Sequence, residues 1–276
     1  IYSILICLLN AVTIGVTRTD VVKAIFPISA KTYWFASVYM GLLVLMPFVS
    51  MVAARMTRRQ YQYLLGALTL FLSVNHMIFR VDTYGTFSGR ELPWFIYLTL
   101  LAGYVKLHTK EDRRYAWYGF AGYMVSSLAV LASVYLSVKT HQEDIGYFLN
   151  YNSPLALLGT LALFVCVRNL PWKESKLDGV ILKVAGAAFG VYLIHDNYLI
   201  RYLVWDTFRV SKVAKTHWAM IYAVAVAAIV YLTCTLLELL RQQLVKWFAP
   251  IWEKTLLYRK EQNLYLKITK RVNDLS

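Results

Sequence analysis

Phe189-Gly190-Val191-Tyr192-Leu193-Ile194-His195-Asp196-Asn197 closes an apolar run that begins near residue 180. Such a run is long enough to cross a bilayer, which takes about 20 residues of helix. A histidine near the end of a span is costly, because hydrocarbon penalises ionisable groups, so His195 is read as a functional residue. Working outward, the chain repeats the pattern. Apolar runs cover residues 1–16, 33–54, 61–79, 92–107, 115–138, 147–168, 180–203 and 217–240. The expected fold is therefore all-α, a polytopic transmembrane helix bundle of about eight spans.

Composition agrees. Of 276 residues 59% are hydrophobic and only 16% charged, with 21 tyrosines and 8 tryptophans. Soluble domains carry about 25% charged residues, so a water-facing surface of ordinary polarity cannot be built. Cys7, Cys166 and Cys234 all sit in apolar surroundings, with no CxxC spacing. They read as small buried hydrophobes, and no metal site is expected.

The net charge of +14 invites a nucleic-acid reading, but its distribution argues for topology. Sorted by alternate sides of the spans, 19 Lys and Arg fall on one side and 10 on the other. The heavier side is cytoplasmic by the positive-inside rule. That places the C-terminus inside, excludes nucleic acid as a partner and makes the bilayer the first one. Residue 1 falls inside as well, without an initiator Met or a basic leader, so the chain reads as lacking an upstream part. Two regions are expected: a transmembrane domain over 1–240 and a basic tail over 241–276. In the tail Leu244, Trp247, Phe248, Ile251 and Trp252 share a helical face flanked by Arg241, Lys246 and Lys254, the pattern of an interfacial amphipathic segment. Trp34, Trp94, Trp117 and Trp218 lie near span ends, where an aromatic belt is expected.

On the outer side, His76 and Arg80 are four residues apart and share a face if their helix continues that far. In the seventh span Tyr192, His195 and Leu199 form one stripe, and Gly186, Gly190, Asn197 and Arg201 another. Gly186 and Gly190 make a GxxxG step that lets a neighbouring helix approach closely. Asp196 points about 100° away from His195, so the histidine's partner is expected from another span. Arg80 and Arg201 can equally snorkel to the interface. Lys106, His108 and Lys110 on the inner side read as topology charges, though a basic inner mouth would attract a phosphorylated donor.

Soluble-enzyme motifs are absent: no Walker loop, GxSxG, HExxH or dinucleotide fingerprint occurs. Histidine can take a proton from a hydroxyl near neutral pH. Arginine can hold a phosphate or a developing oxyanion. These residue types fit acyl transfer better than redox or metal chemistry.

Three segments carry a resemblance. Tyr33-Trp34-Phe35 with Tyr39, Gly41-Leu42 and Pro47-Phe48, then Pro93-Trp94-Phe95 with Tyr97 and Gly103-Tyr104, then Phe189 to Asn197 with Arg201 and Trp205, resemble in order the spans of the acyltransferase 3 family. These are bacterial integral-membrane O-acyltransferases of surface polysaccharides. The resemblance implies about ten spans with both termini inside, two spans more than are counted here. It also implies an Arg and His about ten residues apart in the first span as the principal catalytic pair. No Arg here has a His at that spacing, so an N-terminally truncated chain is expected, inactive alone.

By the same resemblance, acyl-CoA (acetyl-CoA above all) is the donor substrate, no cofactor is bound, and the acceptor is a glycan hydroxyl outside the bacterial cytoplasmic membrane. His195 would be a supporting catalytic residue, with Asn197, Arg201, His76, Arg80 and Tyr192 binding substrate and Gly186 and Gly190 packing helices. Two rivals stand beside this reading, a flippase of lipid-linked glycan and a non-catalytic membrane partner. Inverted repeats and broken helices in matching positions, the mark of many transporters, are not evident.

Overall fold

In a computed structural model of the chain, residues 2–13, 15–81, 84–141, 146–173, 175–213 and 216–253 are described. The helices are α1 (Tyr2–Thr13), α2 (Arg18–Ile25), α3 (Trp34–Arg55), α4 (Arg58–Thr69), α5 (Asn75–Phe79), α6 (Leu92–His108), α7 (Arg113–Lys139), α8 (Pro154–Arg168), α9 (Asp178–His195), α10 (Arg201–Phe208), α11 (Val210–Val213) and α12 (Ala219–Glu253). No strand occurs among the described residues. Six helical segments are long and apolar enough to span a membrane: Trp34–Arg55, Arg58–Phe79, Arg113–Lys139, Tyr147–Arg168, Asp178–His195 and Ala219–Pro250. Two of the eight expected spans are shorter. The first helix has 12 residues, and Leu92–His108 has 17, at the lower limit for a crossing.

The surface confirms the environment. Leu182, Val224, Met220, Tyr63 and Trp117 all stand mostly exposed. Exposed apolar area on this scale is stable only against lipid. Trp117 and Trp218 face outward as a belt requires, but Trp94 does not. It is 2% exposed, packed against Tyr97 at 5.1 Å between ring centroids.

The chain forms two compact units, residues 28–174 and a second made of 1–27 with 175–276. In the first, α3 and α4 pack on α6, and α7 lies along α8. Tyr61, Leu65, Leu72, Trp94, Tyr97, Leu100 and Leu157 make its core. Inside it Tyr61 Oη donates to Leu100 O at 2.8 Å, and Thr69 and Tyr97 hydroxyls meet at 2.7 Å. Small residues set the α7–α8 distance. A Cβ on Gly119 would lie 2.6 Å from Ala162 O and from Cys166 N, so two backbones touch there. Between α4 and α5 the helix widens into a π turn, Leu70–Val74. There the Asn152 amide, fully buried, donates to Leu72 O at 3.2 Å, and Ser73 Oγ donates to Asn152 O at 2.7 Å. The extra residue per turn frees a carbonyl, which a side chain then satisfies.

In the second unit α1 packs on α2 and α9, α9 on α12, and α10 and α11 lead into α12. Thr17 and Asp20 form a capping box at the start of α2. Val191, Ile194 and Cys234 are buried together with Tyr2 and Val230 against them. All three cysteines are free and buried.

Several expectations are corrected. The span foreseen to residue 203 ends as a helix at His195. Asn197 Oδ1 accepts the Leu199 amide at 3.0 Å, a local bond that competes with helix, and Asn197 O caps α10 through the Ile200 and Arg201 amides. Asn197 and Arg201 therefore do not continue the Gly186–Gly190 stripe. Residues 15 and 16 of the first run lie outside a helix, and α2 was not foreseen. Likewise α5 ends at Phe79, because Arg80 adopts a left-handed conformation (φ 54°) as its cap. No helix boundary falls at residue 240, since α12 runs on through Glu253. Of the amphipathic face, Leu244, Trp247 and Phe248 are exposed on α12, while the side chains of Ile251 and Trp252 and residues 254–276 lie outside the described part.

Candidate active site

His195 is the last residue of α9. Its Nδ1 donates to Val191 O at 2.7 Å, one turn back. A carbonyl only accepts, so Nδ1 carries the hydrogen, and in the neutral ring Nε2 is left with its lone pair. The expected partner from another span is therefore the histidine's own helix. Asp196 turns instead to Arg201, with Oδ1 3.6 Å from Nη1. Tyr192 stands edge-on to the imidazole at 6.5 Å.

His195 lines an open groove of about 380 Å³. Val191 of α9, Val204 and Trp205 of α10 and Val210 of α11 form one side. Ala223, Val226, Ala227, Val230 and Tyr231 of α12 form the other. Tyr222 Oη donates to Phe208 O at 2.5 Å and holds α10 to α12 beside it. His195 and Tyr231 bring polar groups to an otherwise aliphatic and aromatic wall.

Two turns of α12 beyond Tyr231 lies a group that the sequence reading passed over. Glu238 is 3% exposed. Its carboxylate accepts from Arg241 Nη2 at 2.6 Å and Nε at 2.8 Å, from Gln242 Nε2 at 2.8 Å and from the Tyr2 hydroxyl. One carboxylate thus pins α1 to α12, and α9 is shaped to admit it. A Cβ on Gly190 would sit 2.4 Å from the Glu238 carboxylate, whereas one on Gly186 would meet nothing within 4 Å. The glycine step is corrected accordingly: Gly190 makes room for a side chain, and Gly186 packs on nothing among the described residues. The available signal was Glu238 itself, alone between Leu236-Leu237 and Leu239-Leu240.

Next to the turn at Asn197, Tyr198 Oη donates to Asp20 Oδ1 at 2.8 Å. Thr17 donates to Asp20 Oδ2 from its amide at 2.9 Å and its hydroxyl at 2.6 Å. These Thr17 bonds, then the Tyr198 bond, hold the Asp20 carboxyl down to about 2. Asn197 is 1% exposed, so it builds the turn that carries α10.

His76 and Arg80 belong to the other unit. They do not share a helix face, yet both meet Tyr147. The His76 ring stacks on it at 6.0 Å, the Arg80 guanidinium lies over it at 5.0 Å, and Tyr147 Oη donates to His76 O at 2.5 Å. The eight site candidates thus fall into two groups, one in each unit.

Where α6 and α8 end and α7 begins, this unit holds a cavity of about 560 Å³ lined by Ala102, Gly103, Lys106, Glu111, Phe164 and Arg168. Arg168 donates to Thr109 Oγ1 at 2.8 Å, to Thr109 O at 3.2 Å and to Val105 O, and pairs with Glu111 at 3.4 Å. Counted only as a topology charge in the sequence, Arg168 is a fixed guanidinium at a cavity wall. Among the described residues no cluster of three or more His, Cys, Asp or Glu could hold a metal.

A helical bundle whose long apolar helices face lipid defines an integral membrane protein. The family model described as an acyltransferase domain matches residues 1–238, and the chain belongs to the acyltransferase 3 family. No curated protein and no solved structure matches it.

Proposed function

We propose that this membrane acyltransferase moves an acyl group, acetyl in the simplest case, from acyl-CoA to a sugar hydroxyl of an extracytoplasmic polysaccharide or lipid-linked glycan. In that reaction the hydroxyl loses its proton to a base, its oxygen bonds to the thioester carbon, the carbon–sulfur bond breaks, and the thiolate leaves and takes up a proton. His195 supports this step, its Nε2 accepting the hydrogen bond of the incoming hydroxyl. The principal Arg–His pair of the family is not found at its spacing in this chain. Arg201 and Asn197 lie within the two turns that follow His195, and His76 with Arg80 forms a second candidate contact for the glycan.

The observation that carries the reading is the fixed tautomer of His195 at the wall of an open groove. A ring held by its Nδ1–H and open at Nε2 has the form a proton acceptor needs. Lys106 and Arg168 at the cavity of unit 28–174 suit the phosphates of a CoA donor. On this reading the chain crosses the bacterial cytoplasmic membrane eight times, with its C-terminus and the Lys106–Arg168 mouth inside. The test is transfer of radiolabelled acetyl from acetyl-CoA to glycan in membrane vesicles carrying the protein as encoded. Label in the glycan that disappears with the gene supports the reading, and label that is independent of the gene contradicts it.

A further inference from the structure

Trp34, Arg90 and Tyr151 are far apart in sequence, yet they meet at the end of unit 28–174 where α3, α6 and α8 begin. The Arg90 guanidinium lies 5.9 Å from the Trp34 ring and 5.7 Å from the Tyr151 ring, and the rings are 5.9 Å apart. The loop before α6 is bent to put it there. Ser88 and Gly89 are left-handed (φ 59° and 84°), and the Tyr151 amide donates to Ser88 O at 3.1 Å. A Cβ on Gly89 would meet Tyr151 Cβ at 2.6 Å, so glycine is what lets the two segments close. Backbone that its surroundings hold in such conformations clusters at ligand clamps and active sites.

The pairing leaves Arg90 available. It is exposed, and Tyr151 is 53% exposed. Lys31 is paired with Glu91, but Arg90 meets no carboxylate among the described residues. Arg80 repeats the arrangement: it is exposed, meets no carboxylate among the described residues and lies over Tyr147, four residues before Tyr151. A guanidinium held against a ring keeps N–H groups free to fork onto a carboxylate. The negative face of an aromatic ring takes the C–H groups of a sugar. Segments 84–91 and 146–153 are irregular and partly exposed, so they stand outside the hydrocarbon, where water serves their backbone groups. Behind them the wall is polar. Asn152 and Ser153 are buried, and neither Asn152 Oδ1 nor Ser153 Oγ has a partner among the described residues. By the charge count this is the outer side, whereas anionic lipid marks the cytoplasmic leaflet.

We propose that Arg90, Trp34 and Tyr151, with Arg80 over Tyr147, bind the acceptor glycan through sugars that bear carboxylates, so that the acceptor is an acidic polysaccharide. The proposal rests on the acyl-transfer reading, which brings a glycan to this face.

The test is titration of the full chain, in nanodiscs of neutral lipid, with trigalacturonic acid and with the same trisaccharide reduced at its carboxyls. The acid should bind about tenfold or more tighter, and added salt should narrow the gap. Arg90→Gln should lower affinity for the acid about tenfold and leave the neutral sugar unchanged. Tyr151→Leu, which keeps apolar bulk but removes the ring, should weaken both. Lys139→Gln, at an exposed cation ending α7, should stay within about twofold of the parent. Equal binding of the two sugars, or a loss in Lys139→Gln equal to that in Arg90→Gln, overturns the proposal. A second titration in nanodiscs containing phosphatidylglycerol tests the lipid. If that lipid binds at Arg90, is lost in Arg90→Gln and no acid binds in neutral lipid, the site belongs to a headgroup and the proposal falls. Acid binding without acyl transfer keeps the site and removes the reaction. Gene-dependent transfer that is indifferent to Arg90→Gln and to carboxyl reduction of the glycan keeps the reaction and removes the site.

Discussion

The two units handle charge in opposite ways. Unit 28–174 is held inside by neutral groups (Tyr61 to a carbonyl, Tyr97 to Thr69, Asn152 to the π turn) and keeps Arg168 and Lys106 at its cavity. The unit of 1–27 with 175–276 does the reverse. It buries a carboxylate, Glu238, and offers an open groove whose wall is almost entirely hydrocarbon. Neutral hydrogen bonds can be made one at a time, whereas a buried carboxylate must find its cations and donors together or be costly. Glu238 meets that demand with Arg241, Gln242 and Tyr2. The lesson is that a charged group held by several partners is buried between helices in one unit and stands at a cavity wall in the other.

Breaking the carboxylate cluster should therefore give the largest loss of stability. Glu238→Ala leaves Arg241 and the Tyr2 hydroxyl without their acceptor and should destabilise by about 3 kcal/mol. That figure is the low end for a buried pair, because Arg241 is one-third exposed. Thermal unfolding of the purified protein in detergent measures it. Gly190→Ala forces a Cβ onto the same carboxylate and should cost about 1–3 kcal/mol in that assay. Gly186→Ala, with open space around its Cβ, should stay within about 0.5 kcal/mol of the parent. Equal effects at the two glycines would refute the account of Gly190.

The charged cavity is tested by Arg168→Ala. It should raise KM for acyl-CoA about tenfold, with a smaller change in kcat, and added salt should narrow the difference. Because Arg168 also braces Val105 and Thr109, Lys106→Ala is the companion variant, and its KM should rise in the same direction.

The smallest effect concerns Asp20. Its folded carboxyl is held at about 2, against 3.8 when free. A depressed acid contributes stability above its unfolded value and loses that contribution as pH falls through its folded one. The α2 attachment should therefore weaken as pH drops from about 4 toward 2, and Asp20→Asn should remove that dependence. Amide exchange of residues 18–25 across this range is the measurement.

Much of the fold was legible because bilayer physics writes it in long apolar runs. Six helices long enough to cross fall where such runs were read, and the family was visible in three motif segments. What escaped depended on partners far apart in the chain. Glu238 stood out as a lone acid among leucines, but nothing local tied it to Tyr2, 236 residues earlier. The end of α9 was readable from Asp196-Asn197, two short polar residues that favour turns. The apolar Tyr198-Leu199-Ile200 beyond them disguised the break as a longer span. Trp94 looked like a belt residue by position, and only packing against Tyr97 shows it inside.

The most direct test of the central claim is acyl transfer by His195→Ala beside His195→Gln, at matched protein levels in membrane vesicles. If His195 accepts the hydrogen bond of the acceptor hydroxyl, alanine should lower kcat by about a hundredfold, and glutamine, which also carries an acceptor, should restore part of it with KM for acyl-CoA little changed. Undiminished transfer in His195→Ala would contradict the account.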